Sequence, residues 1–194
     1  MRPDFATHYY LPGRRPFLSL SNLNSEGVRA VEQEMAQLRA AGNQFRPFGR
    51  RYVEWRKLTE ERLRQLFIAR GGRPQRTAPH YLVLGESPWF EHLAAGMRAL
   101  RVPLRSLPRD VTSATRPDSF AAMEFGPRFG YPQEAKPYHG RVFLLDELND
   151  LIAEFGVPAP SWEEHHEDWR QWPDDAYVEI QLWSDDPVRE HLAP

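Results

Sequence analysis

The sequence predicts an α+β fold, with a mixed or largely antiparallel sheet and packed helices, in a single globular domain over residues 1–194. Apolar and polar residues alternate in AYVEIQLW (176–183), as they do in β-strands. Apolar residues recur at helical spacing in EGVRAVEQEMAQLRAAG (26–42). With 41% apolar and 12% aromatic residues, a chain of 194 residues can bury a core without dividing into several domains.

The N-terminal part is predicted to contain one strand and two helices. FLSLSNL (17–23) alternates apolar and small polar residues and therefore predicts a strand. In the helix over 26–42, one face is formed by Val28, Val31, Met35 and Leu38. A second helix over 51–70 is predicted to end at Gly71–Gly72, because a left-handed C-terminal cap favours a residue without Cβ. Its apolar face is formed by Tyr52, Trp55, Thr59, Leu63, Leu66 and Phe67.

The middle of the chain alternates between strand and helix signals. PHYLVLG (79–85) predicts a buried strand. ESPWFEHLAAGMRAL then predicts a helix with Ser87 as N-cap and Pro88 at its first position. VPLRSLP (102–108) predicts a short strand, and the next segment, RDVTSATRPDSF (109–120), is rich in hydroxyl side chains.

The last third is predicted to contain two strands around one helix. RVFLLDELNDLIAEFG (141–156) predicts a strand, an N-cap at Asp146 and a short helix that ends at Gly156. In AYVEIQLW, one face carries Ala176, Val178, Ile180 and Leu182. The other face is more polar and carries Tyr177, Glu179, Gln181 and Trp183.

Charge is unevenly distributed along the chain. Residues 1–80 carry 15 Lys and Arg against 7 Asp and Glu, whereas residues 81–194 carry 10 against 20. Such asymmetry marks an anion-binding half, or two halves that attract one another within one fold. In the basic helix over 51–70, Arg56 and Arg70 project from the apolar sector, where a guanidinium needs a carboxylate or phosphate. Glu60 can pair with Arg56, and Arg70 is a candidate anion-binding or cofactor-binding residue.

Several classes of site are disfavoured by the sequence. The absence of cysteine excludes disulfides and thiolate chemistry. SWEEHHEDW (161–169) holds His165 and His166, but adjacent histidines on a helix diverge by about 100° and form no convergent ligand set, so we expect no metal. GGRP and LGES lack the glycine spacing of phosphate-binding loops, and no GxSxG element is present.

Glu179 is the most suggestive carboxylate. It projects from a regular strand, near Gln181 and between the aromatic Tyr177 and Trp183. A carboxylate in such a place can stabilise an oxocarbenium-like sugar cation, where negative charge is needed beside a developing positive charge. The same alternation also occurs on any half-exposed strand.

The hydroxyl motif TSAT (112–115), followed by the late strand YVEIQLW, resembles the Ser-Thr-Ser and Glu-x-Glu/Gln elements of ADP-ribosyltransferases, which split the nicotinamide–ribose bond of NAD. The resemblance covers about a dozen residues. It implies NAD as cofactor, Glu179 as catalytic carboxylate and Gln181 as its auxiliary. It further implies that Ser113 and Thr115 support the nicotinamide ribose. The early Arg or His of that family has no clear counterpart, and His80 in PHY is one candidate.

Three functions therefore remain as hypotheses. The first is an ADP-ribosyltransferase-like enzyme that uses NAD and an acceptor in a nucleic acid or protein. The second is a noncatalytic module whose basic helix over 51–70 binds nucleic acid or an acidic protein. The third is an enzyme that acts on another small anionic substrate. A concave pocket containing Glu179 favours an enzyme, and a flat positive face favours the module.

The sequence also predicts where the protein works. No apolar run reaches the roughly 18 residues of a membrane-spanning helix. The N-terminus lacks the basic and then apolar pattern of a secretory signal. We therefore expect a soluble, unexported, cytoplasmic protein that binds no membrane.

Overall fold

The sheet begins near the N-terminus, with a strand over Phe5–Tyr10 in the computed structural model. The structure describes residues 2–42, 52–92, 94–123, 134–158 and 176–192. Within them the strands are β1 (Phe5–Tyr10), β2 (His80–Leu84), β3 (Arg98–Pro103), β4 (Thr112–Thr115), β5 (Phe143–Leu144) and β6 (Glu179–Leu182). The helices are α1 (Ser25–Ala40), α2 (Tyr52–Ala69), α3 (Pro88–Glu91), α4 (Ser119–Ala122), α5 (Leu148–Phe155) and α6 (Arg189–Leu192).

The predicted α+β fold is confirmed, and the sheet is antiparallel throughout its described part. Its strand order is β3-β1-β2-β6-β4-β5, so β6 lies between β2 and β4. Every residue of β6 is buried, which means that its polar face is covered instead of being half-exposed to solvent. None of the described helices has the length and apolar character needed to cross a bilayer.

Helix α2 packs against the sheet as its apolar pattern predicts. Leu63 and Phe67 are fully buried, and the Phe67 ring stacks on Trp183 with 6.2 Å between ring centroids. The predicted glycine stop is confirmed: Gly72 N–H donates to Phe67 C=O and Gly71 N–H to Ile68 C=O, both at 2.9 Å. Gly71 has φ +90°, a left-handed conformation that a residue with a Cβ adopts only at a cost.

The strand predicted over residues 17–23 is wrong. This segment forms a loop and a 3₁₀ turn at Leu20–Asn22, where the Ser19 hydroxyl accepts a hydrogen bond from Ser21 N–H at 3.3 Å. Serine side chains that bond to nearby backbone compete with strand pairing, which explains why alternation misled the prediction. Phe17 is buried with φ +60°, which no regular strand contains.

The long helix predicted after Ser87 is also wrong in extent. Ser87 caps α3 as expected, but the helix stops at Glu91. Gly96 has φ +69°, and β3 begins at Arg98 because this segment pairs with β1 along its whole length. The strand signal over residues 102–108 therefore marks only the end of β3, after which a 3₁₀ turn begins at Leu104.

The two remaining C-terminal predictions agree with the structure except at one cap. Helix α5 ends at Gly156, which has φ +75°. Its N-cap position belongs to Glu147, whereas Asp146 forms an ion pair with Arg109 at 2.8 Å. The predicted strand at the end of the chain is present as β6.

Candidate active site

A cavity of about 270 Å³ opens where β1 separates from β2. These strands pair at Ala6–Leu84 and Thr7–Val83. Beyond Thr7, a side-chain hydrogen bond replaces the backbone hydrogen bonds between the strands: His8 Nδ1 donates to Tyr81 C=O at 2.8 Å. Side chains from the loop after β1 and from α1, α2, β2 and β6 line the cavity. Its aromatic lining consists of Tyr9, Tyr10, Phe17, Tyr52, Tyr81, Phe90, Phe120 and Tyr177.

Glu179 lies at the wall of this cavity, and hydrogen bonds hold it in place. The Gln181 amide donates from Nε2 to Glu179 Oε1 at 3.1 Å and to Thr115 Oγ1 at 2.8 Å. Gln181 Oε1 accepts from the Ser113 hydroxyl at 2.9 Å, and the Trp183 indole donates to Ser113 Oγ at 2.8 Å. Antiparallel register explains the arrangement, because Ser113 lies opposite Gln181 and Thr115 opposite Glu179.

Glu179 is only 6% exposed, and the pKa of its carboxyl is raised to about 7. Burial is the main cause, since it disfavours the charged form, and the nearby Asp118 carboxylate adds to the rise. The Arg56 guanidinium and the Gln181 amide oppose the rise but do not outweigh it. Glu179 can therefore exchange its proton near neutral pH, which is a property suited to acid–base or electrostatic catalysis.

Arg56 contributes a fixed positive charge to the same cavity. Its Nε donates to Glu60 Oε1 at 3.2 Å and its Nη1 to the Tyr52 hydroxyl at 3.2 Å. The guanidinium lies 3.8 Å from the centre of the Tyr81 ring, whose hydroxyl donates to the same Glu60 oxygen at 3.1 Å. Glu60 is 3% exposed and thus serves as the buried counter-ion of Arg56, as the sequence suggested.

The loop after β1 forms the outer wall, and a histidine anchors it. Phe17 N–H donates to His8 Nε2 at 2.7 Å, and the two rings stack with 4.1 Å between centroids. Because Nδ1 donates to a carbonyl while Nε2 accepts from an N–H, His8 is neutral in this arrangement. Burial, the largest influence, lowers its pKa from 6.5 to about 4.

The structure brings four of the six predicted site residues together. Glu179, Gln181, Ser113 and Thr115 form one hydrogen-bonded group. Of these four, only Glu179 lines the cavity. The two hydroxyl residues are fully buried and bonded to Gln181, so they hold the amide instead of offering a direct contact to a ribose.

His80 and Arg70 lie outside that group. His80 borders the cavity, but its Nε2 lies 2.8 Å from Asp185 Oδ1. Arg70 donates to Glu147 Oε1 at 2.7 Å and to Val142 C=O at 3.0 Å, at a distance from the cavity lining. Of the two partners that the sequence allowed for Arg70, a carboxylate or a bound anion, the structure shows the carboxylate of Glu147, and this pair joins the end of α2 to the start of α5.

Sequence analysis did not place two charged residues, Arg56 and Asp118, beside Glu179. Arg56 was noted for its place in an apolar sector, which was the available signal of a buried partner. Asp118 precedes Ser-Phe in TRPDSF, where it caps α4 by accepting from Phe120 N–H at 2.9 Å. An aspartate before a helix usually signals a cap alone, so nothing in the sequence connected it with Glu179.

The histidine pair His165 and His166 lies outside the described residues. Within residues 2–42, 52–92, 94–123, 134–158 and 176–192, no group of three or more His, Asp or Glu side chains could hold a metal ion. No protein family, known protein or solved structure matches the chain.

Proposed function

We propose that the protein is an ADP-ribosyltransferase-like enzyme that uses NAD, with Glu179 as its catalytic carboxylate. The observation that carries the proposal is a buried, hydrogen-bonded carboxyl at the wall of a cavity lined by aromatic rings. The same carboxyl belongs to the motif that resembles the late element of that family. No metal is part of the proposal.

The reaction would break the bond between ribose and nicotinamide. The electron pair of that bond leaves with nicotinamide, which becomes neutral, and positive charge develops on the ribosyl carbon. An ionised Glu179 stabilises this charge most strongly in the transition state, when it is largest. The acceptor, a nucleophile on a nucleic acid or protein, then bonds to the ribosyl carbon and loses its proton.

The cavity volume suits one end of the cofactor. At about 270 Å³ it is slightly smaller than the pockets of about 300–1,000 Å³ that enclose drug-sized ligands. It would hold the nicotinamide ring with its ribose and leave the remainder of NAD along the loop after β1. Arg15, an exposed arginine of that loop which borders the cavity, would then lie near the pyrophosphate.

The noncatalytic module receives less support from the described side chains. Arg56 is paired with Glu60 and Arg70 with Glu147, so two of the arginines in the basic helix are already neutralised within the fold. An interaction surface for nucleic acid depends on cations that remain free to neutralise phosphates. Among the described residues of α2, Lys57 and Arg62 are exposed and Arg64 is partly exposed, so such a role would rest on these three cations.

The test is release of nicotinamide from NAD by the wild type and by Glu179→Gln, with nucleic acid and protein extracts supplied as acceptors. We expect a loss of about 100-fold or more in rate, because the neutral amide cannot stabilise the developing cation. Glu61→Gln is the matched control, since that carboxylate lies on the exposed face of α2 and bonds to Gln65. No turnover by the wild type with any acceptor would contradict the proposal.

A further inference from the structure

The chemistry of the cavity wall points to the charge of its ligand. Glu179 interacts electrostatically with three charged or titratable groups: Arg56 of α2, Tyr81 of β2 and Asp118 before α4. Arg56 and Glu60 neutralise each other at 3.2 Å. Tyr81 stays protonated, because burial raises its pKa well above 10.0. The carboxyl groups of Glu179 and Asp118 thus give the part of the cavity beside β6 an acidic character, while Arg14 and Arg15 of the loop after β1 also line the cavity.

Aromatic rings surround this acidic wall. Phe90, Tyr177 and Phe120 line the cavity, and the rings of Phe90 and Tyr177 meet edge to face with 5.5 Å between centroids. Arg56 makes cation–π contacts with this lining, because its guanidinium lies 3.8 Å from the centre of the Tyr81 ring and 5.8 Å from that of Phe120. Ring faces attract cations, and the attraction grows when water is excluded.

We infer that the cavity selects organic cations, and that its preferred ligand is a planar ring with a permanent positive charge, such as a pyridinium, placed against the aromatic wall beside Glu179. The inference rests on the proposed function to the extent that the pyridinium is the nicotinamide ring of oxidised NAD. It goes further than the proposed function because the positive charge of the ring, and not its shape, determines which ligand the cavity prefers.

The inference also predicts that the affinity of the cavity for a cation depends on pH. Without a ligand, Glu179 has a pKa of about 7, so both its neutral and its ionised forms are populated near neutral pH. A bound cation favours the ionised form and lowers this pKa. Binding therefore releases a proton below pH 7, and affinity for the cation rises as pH increases through that value.

The test compares two probes of nearly the same shape: nicotinamide, which is neutral, and nicotinamide methylated on its ring nitrogen, which is a cation at every pH used. Calorimetry on the intact wild-type chain at pH 6 and pH 8 measures both. We expect the cation to bind about tenfold more tightly than the neutral probe, and more tightly at pH 8 than at pH 6. Equal affinities, or binding of neither probe, would overturn the inference.

Variants assign the preference to the carboxyl. Glu179→Gln should reduce the affinity for the cation by about tenfold and remove its dependence on pH, with little change for neutral nicotinamide. Glu61→Gln should leave both affinities unchanged. A thermal melt verifies that each variant is folded. A preference that survives in folded Glu179→Gln would contradict the inference.

The two proposals fail separately. If the methylated probe binds preferentially but NAD is not cleaved with any acceptor, the cation site stands and the ADP-ribosyltransferase proposal falls. If NAD is cleaved while the two probes bind equally, the enzyme proposal stands and the cation preference falls. Comparing oxidised with reduced NAD adds a further check, because only the oxidised ring carries the positive charge.

Discussion

The Gln181 amide binds the Glu179 carboxylate across 3.1 Å, although the two residues belong to the same strand and are separated by one position. Residues two apart on a strand share a face, so this contact follows from β6 being extended. Gln181 is itself held from β4 by Ser113 and Thr115. The orientation of the candidate catalytic group therefore depends on how two neighbouring strands pair.

The first prediction concerns the pH dependence of stability. The pKa of Glu179 is raised from 4.5 to about 7 on folding, so the native state binds the proton more tightly than the unfolded state does. The contribution of this proton to the free energy of unfolding is fully present below about pH 4.5, and it is lost as pH rises through 7. Glu179→Gln should therefore become more stable relative to the wild type between pH 5 and pH 8, by about 2–3 kcal/mol. Urea unfolding at the two pH values measures the difference, and a constant difference would contradict the raised pKa.

The second prediction concerns Gln181, which is fully buried. Gln181→Met keeps the volume but removes the acceptor for Ser113 and the donor to Thr115 and Glu179. Buried polar groups left without partners should destabilise the fold by about 2–4 kcal/mol. Chemical denaturation of the variant gives the value, and Gln65→Met on exposed α2 is the matched control. A variant as stable as the control would show that the network contributes nothing to folding.

The third prediction concerns His8, whose pKa is lowered from 6.5 to about 4. The native state thus binds this proton less tightly than the unfolded state does. The stability that depends on neutral His8 is complete above pH 6.5 and is lost as pH falls toward 4. The His8 imidazole should show no protonation between pH 5 and pH 8 when followed by NMR. The signal that disappears in His8→Gln, and persists in His92→Gln at the exposed end of α3, identifies the His8 imidazole among the seven histidines.

The fourth prediction separates two adjacent glycines. A Cβ added to Gly72 would lie 2.5 Å from ring atoms of the buried Phe67, so Gly72→Ala should cost about 2–3 kcal/mol by overpacking. A Cβ on Gly71 would meet no atom within 4 Å, and Gly71→Ala should cost only about 1–2 kcal/mol from its φ of +90°. Unfolding midpoints of the two variants decide the order. A larger loss at Gly71 would contradict the described packing.

Much of the candidate site follows from sequence because its members lie on regular strands. Alternation places Glu179 and Gln181 on one face, and the hydroxyls of Ser113 and Thr115 repeat at the same period of two. The pairing of β4 with β6 could not be foreseen, since strand order depends on how the whole sheet packs. Arg56 and Asp118 join Glu179 only through that packing.

The errors in the fold have a common physical origin. The loop over residues 17–23 and the segment after Ser87 both carry strong local patterns, but backbone pairing and capping elsewhere decide their structure. β1 carries no clean alternation, because Ala6, Thr7 and Tyr9 are all buried while His8 fills a gap in the ladder. Local patterns describe single elements well, and long-range contacts decide which of them form.

The central position of β6 governs the order in which a growing chain can acquire its structure. Ribosomal synthesis proceeds from the N-terminus, so β2 and β4 emerge long before the strand that lies between them. Until residues 179–182 emerge, the halves of the sheet have no shared strand, and the carboxyl that defines the cavity is missing. The nascent chain therefore exposes two unjoined sheet edges until β6 is synthesised, and these edges are the surfaces that a chaperone would need to shield.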